Sequence, residues 1–193
     1  MKKLLLILLC FPLLTLAQQT YVPDDNFEAY LEANGMGNGI ANDDSVTTSN
    51  INTITSLNIS SKAISDLIGI EDFTSLTFLN CQSNQLTSID VTHNTALTSL
   101  DCSYNQLTSL DVSNNAALTN LRCGSNQLTR HDVSNNTALT NLNCSANQLT
   151  SLDVSNNTAL TSLTCSSNQL TSLDVSNNTA LTRLQCGLNQ LAS

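Results

Sequence analysis

Leucine recurs along residues 76–193 in a fixed pattern with a period of 21 residues. The unit over residues 97–117 reads LTSLDCSYNQLTSLDVSNNAA, and every unit places a cysteine five residues after its first leucine. The first leucines of the six units are Leu76, Leu97, Leu118, Leu139, Leu160 and Leu181. A fixed period of this length indicates a stacked solenoid with one coil per repeat, because each unit buries its apolar side chains against the next unit.

Each unit divides into two similar halves that share the pattern L-x-x-L-x-[C/V]-x-x-N. Alternation within a half sends leucine and cysteine or valine inward and the polar residues outward. The motif resembles the leucine-rich repeat, and more closely its short bacterial subclass, in which two half-motifs are nested in 21 residues. The resemblance covers residues 54–193 and implies a β-rich parallel solenoid with a short strand in each half-repeat and little helix. The doubled motif favours two parallel sheets over one sheet backed by helices.

Residues 18–53 break the repeat and are predicted to form an N-terminal cap. Turn-forming residues precede an apolar set at helical spacing, Phe27, Tyr30 and Leu31, which predicts a short amphipathic helix that ends near Asn34. Residues 54–75 form a divergent first repeat, and residues 76–193 form five 21-residue repeats plus a partial sixth. The cap and the divergent repeat together resemble the entry module of bacterial surface proteins with internalin-like repeats.

Residues 1–17 have the pattern of a secretory signal peptide, with Lys2 and Lys3 before an apolar run and Ala17 at a small-residue cleavage site. Removal of this segment leaves four basic against fifteen acidic residues, a net charge of −11. A surface of this charge repels nucleic acid, because phosphate binding needs clustered lysine and arginine. No segment after residue 17 is long and apolar enough for a membrane span. We therefore expect a secreted or cell-surface protein.

The six cysteines that follow the predicted leader allow two interpretations. An even number of cysteines in an exported chain is typical of disulfides. The alternative, which the repeat favours, is that each cysteine is a small buried hydrophobe, because it occupies the position that valine takes in the other half. The asparagines that end each half are expected to point inward and to bind loop backbone groups, forming two structural ladders.

Two outward surfaces of the repeats differ in variety. The second-half surface is monotonous and stacks five aspartates, so weak Ca²⁺ binding is one hypothesis and a solvated, screened acidic face is the other. These candidate metal ligands are Asp90, Asp111, Asp132, Asp153 and Asp174. The first-half surface varies, so it is the candidate for ligand recognition, with neutral drift as the alternative. Its candidate ligand-binding residues are Phe78, Asn80, Asp101, Arg122, Asn143, Thr164, Arg183 and Gln185.

Two local features allow weaker hypotheses. The loop over residues 34–44 carries Asn34, Asn38, Asn42, Asp43 and Asp44, whose oxygens suit Ca²⁺, although a flexible glycine-rich connection is the simpler interpretation. His131 occupies a position that isoleucine or leucine fills in the other units. A buried imidazole without a hydrogen-bond partner is destabilising, so drift in a tolerant repeat explains it better than a functional site.

The sequence contains no catalytic motif: it has no GxSxG, no HExxH and no phosphate-binding glycine loop. We therefore expect a protein that is not an enzyme and needs no cofactor beyond the possible weak Ca²⁺. The resemblance implies an exported protein that binds a protein or a glycan at the cell surface. A structural spacer and a detached repeat or targeting part of a larger secreted enzyme are the alternatives.

Overall fold

The computed structural model describes residues 17–192, so the predicted leader lies outside them apart from Ala17. Its N-terminal part consists of strand β1 (Gln19–Tyr21), helix α1 (Asp25–Ala33), strand β2 (Ser45–Thr47) and the short helix α2 (Thr48–Ile51). The predicted amphipathic helix is confirmed as α1, which buries Phe27 and Leu31. Strands β1 and β2 pair as an antiparallel ribbon that the sequence analysis did not predict.

The side chain of Asp24 joins the cap to the first repeat. One carboxylate oxygen accepts the backbone N–H groups of Asn26 and Phe27 at the start of α1, both at 3.0 Å. The other accepts the backbone N–H and the hydroxyl of Ser65, at 2.8 and 2.7 Å. Burial opposes ionisation of this carboxyl, but these hydrogen bonds hold its pKa below the ordinary value. The carboxylate therefore fixes the helix against the solenoid.

The repeats form one parallel sheet of seven strands in sequence order. The strands are β3 (Ser56–Asn58), β4 (Phe78–Asn80), β5 (Ser99–Asp101), β6 (Asn120–Arg122), β7 (Asn141–Asn143), β8 (Ser162–Thr164) and β9 (Arg183–Gln185). A 3-10 helix over Ile70–Asp72 lies between β3 and β4. Equivalent residues of successive repeats pair directly, as Leu100 does with Leu121. The predicted parallel solenoid with little helix is thus confirmed.

The core is a continuous column of leucine, valine and cysteine that runs through the stacked coils. The central leucine of each strand from β4 to β8 is buried, and so is the cysteine that follows each of these strands. Side chains on the last described coil, Leu184 among them, are more exposed because no further coil covers them within residues 17–192. The inward register predicted from alternation is therefore confirmed for the first half of each repeat.

The prediction of a strand in the second half of each repeat is wrong, because all seven repeat strands of the described residues lie in first halves. The backbone donors that follow each second-half aspartate bond locally. In the repeat that contains β4, for example, the N–H of Thr92 donates to Asp90 Oδ1 at 2.9 Å. The N–H of Asn94 donates to the carbonyl of Val91 at 3.0 Å. The asparagine N–H thus stays within its own coil, whereas in the first halves the N–H of Asn105 donates to the carbonyl of Ser125 in the next coil. The second halves lack this bond between coils and form no strand.

Asparagine side chains replace the missing second-half ladder. The amide Nδ2 of Asn115 donates to the carbonyls of Val91 and Asn94 in the preceding coil, at 3.0 and 2.9 Å. The same arrangement recurs at Asn136, Asn157 and Asn178, and each of these side chains is almost fully buried. A second column of asparagines, at the first-half turns, bonds turn carbonyls of its own coil and the preceding one. Both predicted asparagine ladders are confirmed.

Each first-half turn contains a residue in the left-handed region immediately before its asparagine. These residues are Ser83, Tyr104, Ser125, Ala146, Ser167 and Leu188, with φ between 51° and 57°. None of them is glycine, so each turn carries local backbone strain that the asparagine hydrogen bonds offset.

Within residues 17–192, no helix is long and apolar enough to cross a membrane.

Candidate functional site

The candidate ligand-binding residues lie together on the outer surface of the seven-stranded sheet. We call the outward residues of strands β4 to β9 the first-half face. One row of this face runs through paired positions from Asn80 to Gln185, and a parallel row runs from Phe78 to Arg183. The members of the first row are Asn80, Asp101, Arg122, Asn143, Thr164 and Gln185. Pairing therefore brings all eight predicted residues onto one surface.

A groove of about 240 Å³ crosses the first-half face between β6 and β9. Arg122 and Arg183 lie in its lining, with amide and hydroxyl side chains between them and no carboxylate. Asp101 lies beside the groove, 3.8 Å from the guanidinium of Arg122. The side chain of Arg122 remains 57% exposed, so this ion pair does not bury its charge. Phe78, by contrast, lies at the other end of the face and outside the groove.

The outward surface of the second halves, which we call the second-half face, carries five stacked aspartates. These ladder aspartates are Asp90, Asp111, Asp132, Asp153 and Asp174. Each carboxylate accepts the backbone N–H two residues further along, at 2.8–2.9 Å. Such bonds from the hydroxyl and backbone of Ser113 hold the pKa of Asp111 below its ordinary value, so this carboxylate stays ionised. No three ladder carboxylates converge on a point within residues 17–192. Ca²⁺ binding by the ladder aspartates stays a prediction, and these residues form no cluster of ligands in the described part of the chain.

A different acidic cluster lies in the cap. Carboxylate oxygens of Asp25, Glu28 and Asp44 lie within 4.8 Å of one another. Glu28 is fully buried; its Oε1 accepts the N–H of Asp43 at 3.1 Å, and its Oε2 has no hydrogen-bond partner. A buried, unpaired carboxylate oxygen beside two more carboxylates suits a hard cation such as Ca²⁺. Of the loop residues named from the sequence, only Asp44 belongs to this cluster.

The loop before Asp44 is held by hydrogen bonds to α1 and by bonds within the loop. Oε1 of Glu32 accepts the backbone N–H groups of Asn38 and Gly39, at 2.6 and 3.1 Å. The side-chain amide of Asn38 in turn donates to the Asp43 carboxylate at 3.0 Å. The loop is therefore organised around acidic side chains, and Asn38 and Asp43 serve its internal structure.

The cysteine column is a packing feature. The five cysteines from Cys81 to Cys165 are buried, Cys186 is partly exposed, and all six are free thiols. Burial, with a smaller contribution from the Asp101 carboxylate, raises the pKa of Cys102 to about 12. A thiol with so high a pKa stays protonated, so it is neither a nucleophile nor a ready metal ligand. The buried-hydrophobe interpretation fits these positions.

His131 lies in the second-half core, as its position in the repeat predicts. Its exposed fraction is 7%, and neither ring nitrogen has a hydrogen-bond partner. Burial lowers the pKa of the imidazole to about 4, against a small opposing effect of Asp132. The ring is therefore neutral at pH 7 and carries a desolvation cost. His93, at a turn, is exposed.

Sequence reasoning missed a column of threonines beside the strands. The hydroxyl of Thr98 donates to the carbonyl of Thr77 in the preceding coil at 3.0 Å, and Thr119, Thr140, Thr161 and Thr182 repeat this bond. The recurrent Leu-Thr pair at the start of each unit is the signal that could have revealed it. These threonines tie successive coils together at the edge of the first-half face.

Comparisons with known proteins agree with this architecture. Residues 74–115 match a family model described as leucine-rich repeats in two copies. Internalin J of Listeria monocytogenes serotype 4b (strain F2365) is 43% identical over 74 residues, which are 38% of this chain and 8% of that protein. The solved functional domain of InlJ from Listeria monocytogenes, which includes a cysteine ladder, is 34% identical. Its TM-score is 0.59 over 91% of this chain and 49% of that one.

A more distant structure shows the same fold. Internalin C2 of Listeria monocytogenes has a TM-score of 0.67 at 20% identity and covers 92% of each chain. This chain spans about half of the solved InlJ domain and a small part of full internalin J. The matched repeats and the likeness to InlJ nevertheless agree with the sheet and the cysteine column. The chain is built of leucine-rich repeats, and its sequence and fold are similar to those of the Listeria internalins.

Proposed function

We propose that the protein is exported and that its first-half face binds a partner protein at the cell surface, without catalysis. The observation that carries this proposal is the contrast between two faces built by the same repeat. The outward middle position is aspartate in every complete second half, whereas in the first halves it is Asn80, Asp101, Arg122, Asn143, Thr164 and Gln185. A stacked repeat offers an extended surface, and variety on one side of it can encode recognition.

The physical setting of the first-half face supports recognition. The sheet and the asparagine and threonine columns hold its backbone, so side chains are presented from a rigid support. A pre-ordered surface loses little conformational entropy when a partner binds. The chain has a net charge of −9. It therefore lacks the positive charge that binding of nucleic acid requires.

A capture experiment tests this function. The chain from residue 18 onward is immobilised and exposed to a panel of extracellular proteins and, in a parallel arm, to a glycan array. We expect a protein partner whose binding is lost when Arg122, Asn143 and Gln185 are replaced together by serine. Binding only to glycans would exclude a protein partner. Binding to nothing in either arm would contradict recognition and favour the rigid-spacer alternative.

We propose a second, separate property, Ca²⁺ binding by Asp25, Glu28 and Asp44 in the cap. The unpaired Oε2 of buried Glu28 supports it, since a cation there would satisfy that oxygen and reduce repulsion among the three carboxylates. Such a site would tie α1 to the end of the loop that Asp44 closes. The ligands come from two elements, α1 and the loop that follows it, so binding is expected to stabilise the cap.

Calorimetry with the chelator-treated chain tests the cap site. We expect Ca²⁺ to bind in the range of about 0.1–1 mM, typical of extracellular sites. The free energy of unfolding should rise by about 2.7 kcal/mol when free Ca²⁺ is a hundred times Kd. Glu28→Gln should abolish the heat and the stabilisation, whereas the ladder variant Asp111→Asn should keep both. The reverse pattern would place the site on the aspartate ladder, and no heat in the unaltered chain would exclude both sites.

A further inference from the structure

We propose that the groove between Arg122 and Arg183 binds an extended acidic peptide segment of the partner, with two carboxylates four residues apart. This inference rests on the proposed function of the first-half face and names the chemistry of its ligand. It begins with the charge of the groove. The groove is lined by two of the four basic residues that follow the predicted leader, and by no acidic side chain.

Other grooves of the described chain differ in charge. A groove beside the 3-10 helix contains Asp66, Glu71 and Asp90, and one on the second-half face contains Asp132 and Asp153 beside Arg130. Arg130, the basic residue of the second-half face, thus lies among carboxylates. In a chain with fifteen acidic residues, the Arg122–Arg183 groove is a local positive region. An anionic ligand complements it and is repelled by its surroundings, which gives the groove selectivity.

The hydrogen-bonding groups of the groove point to an acceptor-rich ligand. Asn143 Oδ1 accepts the backbone N–H and the hydroxyl of Ser145, at 3.0 and 2.7 Å. Gln185 Oε1 accepts from Arg183 Nη2 at 3.1 Å and from Thr164 Oγ1 at 3.4 Å. These bonds fix the orientation of both amides. Their oxygens are occupied within the protein and their NH₂ groups are left for a ligand, which must supply acceptors.

Most of the guanidinium donors are free as well. Arg183 makes one hydrogen bond within the described chain, and Arg122 has only its 3.8 Å ion pair with Asp101. A guanidinium offers five N–H donors in a fork that matches a carboxylate. The groove therefore presents two carboxylate-binding forks, with the NH₂ group of Asn143 between them and that of Gln185 beside Arg183.

The spacing of the two arginines selects a peptide. Arg122 is on β6 and Arg183 on β9, three strand spacings apart, which is about 14 Å along the solenoid. Arg183 belongs to the other row, but its Nη2 lies 3.1 Å from Gln185 Oε1, so its guanidinium lies beside the row of Arg122. Four residues of extended chain cover about 14 Å, and side chains at i and i+4 point to the same side. The amides between the arginines can then donate to peptide carbonyls. No aromatic ring lines the groove, so it lacks the flat apolar surface on which sugars stack.

Fluorescence anisotropy with synthetic peptides tests this inference on the chain from residue 18 onward. The probe is a labelled nine-residue peptide of serine and threonine with glutamate at its third and seventh positions. One control peptide has glutamine at both positions, and another has its two glutamates three residues apart. We expect the first peptide to bind most tightly and its affinity to fall with added salt.

Matched arginine variants locate the binding. Arg122→Gln and Arg183→Gln should each weaken the acidic peptide by about two- to fivefold, as expected for exposed ion pairs. Arg130→Gln removes an equally exposed arginine from the second-half face and should leave binding unchanged. All three side chains are exposed, so the variants should fold alike.

Several results would overturn the inference. They are equal binding of the glutamate and glutamine peptides, an equal loss in Arg130→Gln, and preferential binding of a sulfated oligosaccharide offered in a parallel arm. If these occur while a captured protein still needs Arg122, Asn143 and Gln185, the proposed function stands and only the acidic-peptide inference fails. Loss of both would refute the recognition role of the face itself.

Discussion

Replacing Asn136 by alanine is expected to lower the free energy of unfolding by about 1–3 kcal/mol. Its side-chain amide donates to the carbonyls of Val112 and Asn115 in the preceding coil, both at 2.9 Å. Asn136 is fully buried, so its loss removes both bonds from buried carbonyls, which keep only the backbone N–H groups of Asn115 and Leu118 as partners. Each lost hydrogen bond costs about 0.5–1.5 kcal/mol. The effect is large because these amide bonds join second halves in which no strand ladder exists.

Asn135→Ala is the matched control for this measurement. The preceding asparagine is exposed and donates one longer bond, 3.3 Å, to the carbonyl of Ser113. We expect its replacement to cost less than about 0.5 kcal/mol, as for most surface substitutions. Urea unfolding followed by circular dichroism measures both variants. Equal losses at the two neighbouring asparagines would show that the buried column does not hold the coils together.

His131→Leu is expected to raise the free energy of unfolding by roughly 1–3 kcal/mol at pH 7. Both imidazole nitrogens are buried without partners, and Leu110 and Leu152 fill the equivalent positions in the neighbouring coils. Leucine removes the desolvation cost and continues the apolar column. Thermal or urea unfolding of the two proteins checks the difference.

The advantage of His131→Leu should grow as the pH falls. Burial lowers the pKa of His131 to about 4, below its ordinary value of 6.5. Between these values the unfolded chain binds a proton that the folded chain does not, so the histidine protein loses stability as the pH drops from 6.5 towards 4. The full loss from this residue is roughly 3 kcal/mol. Above pH 6.5 this contribution is absent.

The exposed histidine provides the control for the pH experiment. His93→Gln removes the other imidazole of the chain and should change neither the stability at pH 7 nor its dependence on pH between 4 and 6.5. A lower stability of His131→Leu at pH 7 would contradict the interpretation of an unsatisfied core histidine. It would indicate that the imidazole makes a stabilising interaction in solution.

The sequence was sufficient for the parts of the fold that repetition dictates. A side chain that recurs every 21 residues must meet its own copies, so burial of Leu100 or Cys102 follows from the period alone. The inward asparagines follow as well, because each turn leaves carbonyls that only a side chain can satisfy. Helix α1 was predictable from its cap residue and its apolar spacing.

The second sheet was predicted wrongly because similar half-motifs have different backbone hydrogen bonds. An aspartate follows the second core position of every complete second half, and its carboxylate takes the N–H two residues on, as Asp111 does with Ser113. That local bond competes with pairing between coils. First halves with Asn80 or Asp101 make a similar bond yet pair, so that bond alone does not decide the difference. The backbone N–H of Asn94 stays within its coil, whereas that of Asn105 reaches Ser125 in the next coil. The left-handed turn residues, such as Tyr104, also carry no sequence signal.

The candidate face could be predicted, but its chemistry could not. Alternation and register place Arg122, Asn143 and Gln185 on one surface, since equivalent residues pair. Which amide oxygens are occupied depends on rotamers and on neighbours such as Ser145, and only coordinates give these. The cap cluster was missed because Asp25 and Glu28 lie on α1, away from the loop with the obvious acidic residues. Their i, i+3 spacing on one helix face was the available signal.

The most direct test of the recognition role compares two triple variants for binding to the captured partner by surface plasmon resonance. One variant carries Arg122→Ser, Asn143→Ser and Gln185→Ser on the first-half face. The other carries Ser109→Ala, Arg130→Ser and Ser151→Ala on the second-half face and leaves the aspartate bonds intact. We predict at least a tenfold loss of affinity, about 1.4 kcal/mol, for the first variant and no change for the second. Equal losses, or a loss confined to the second variant, would contradict recognition by the first-half face.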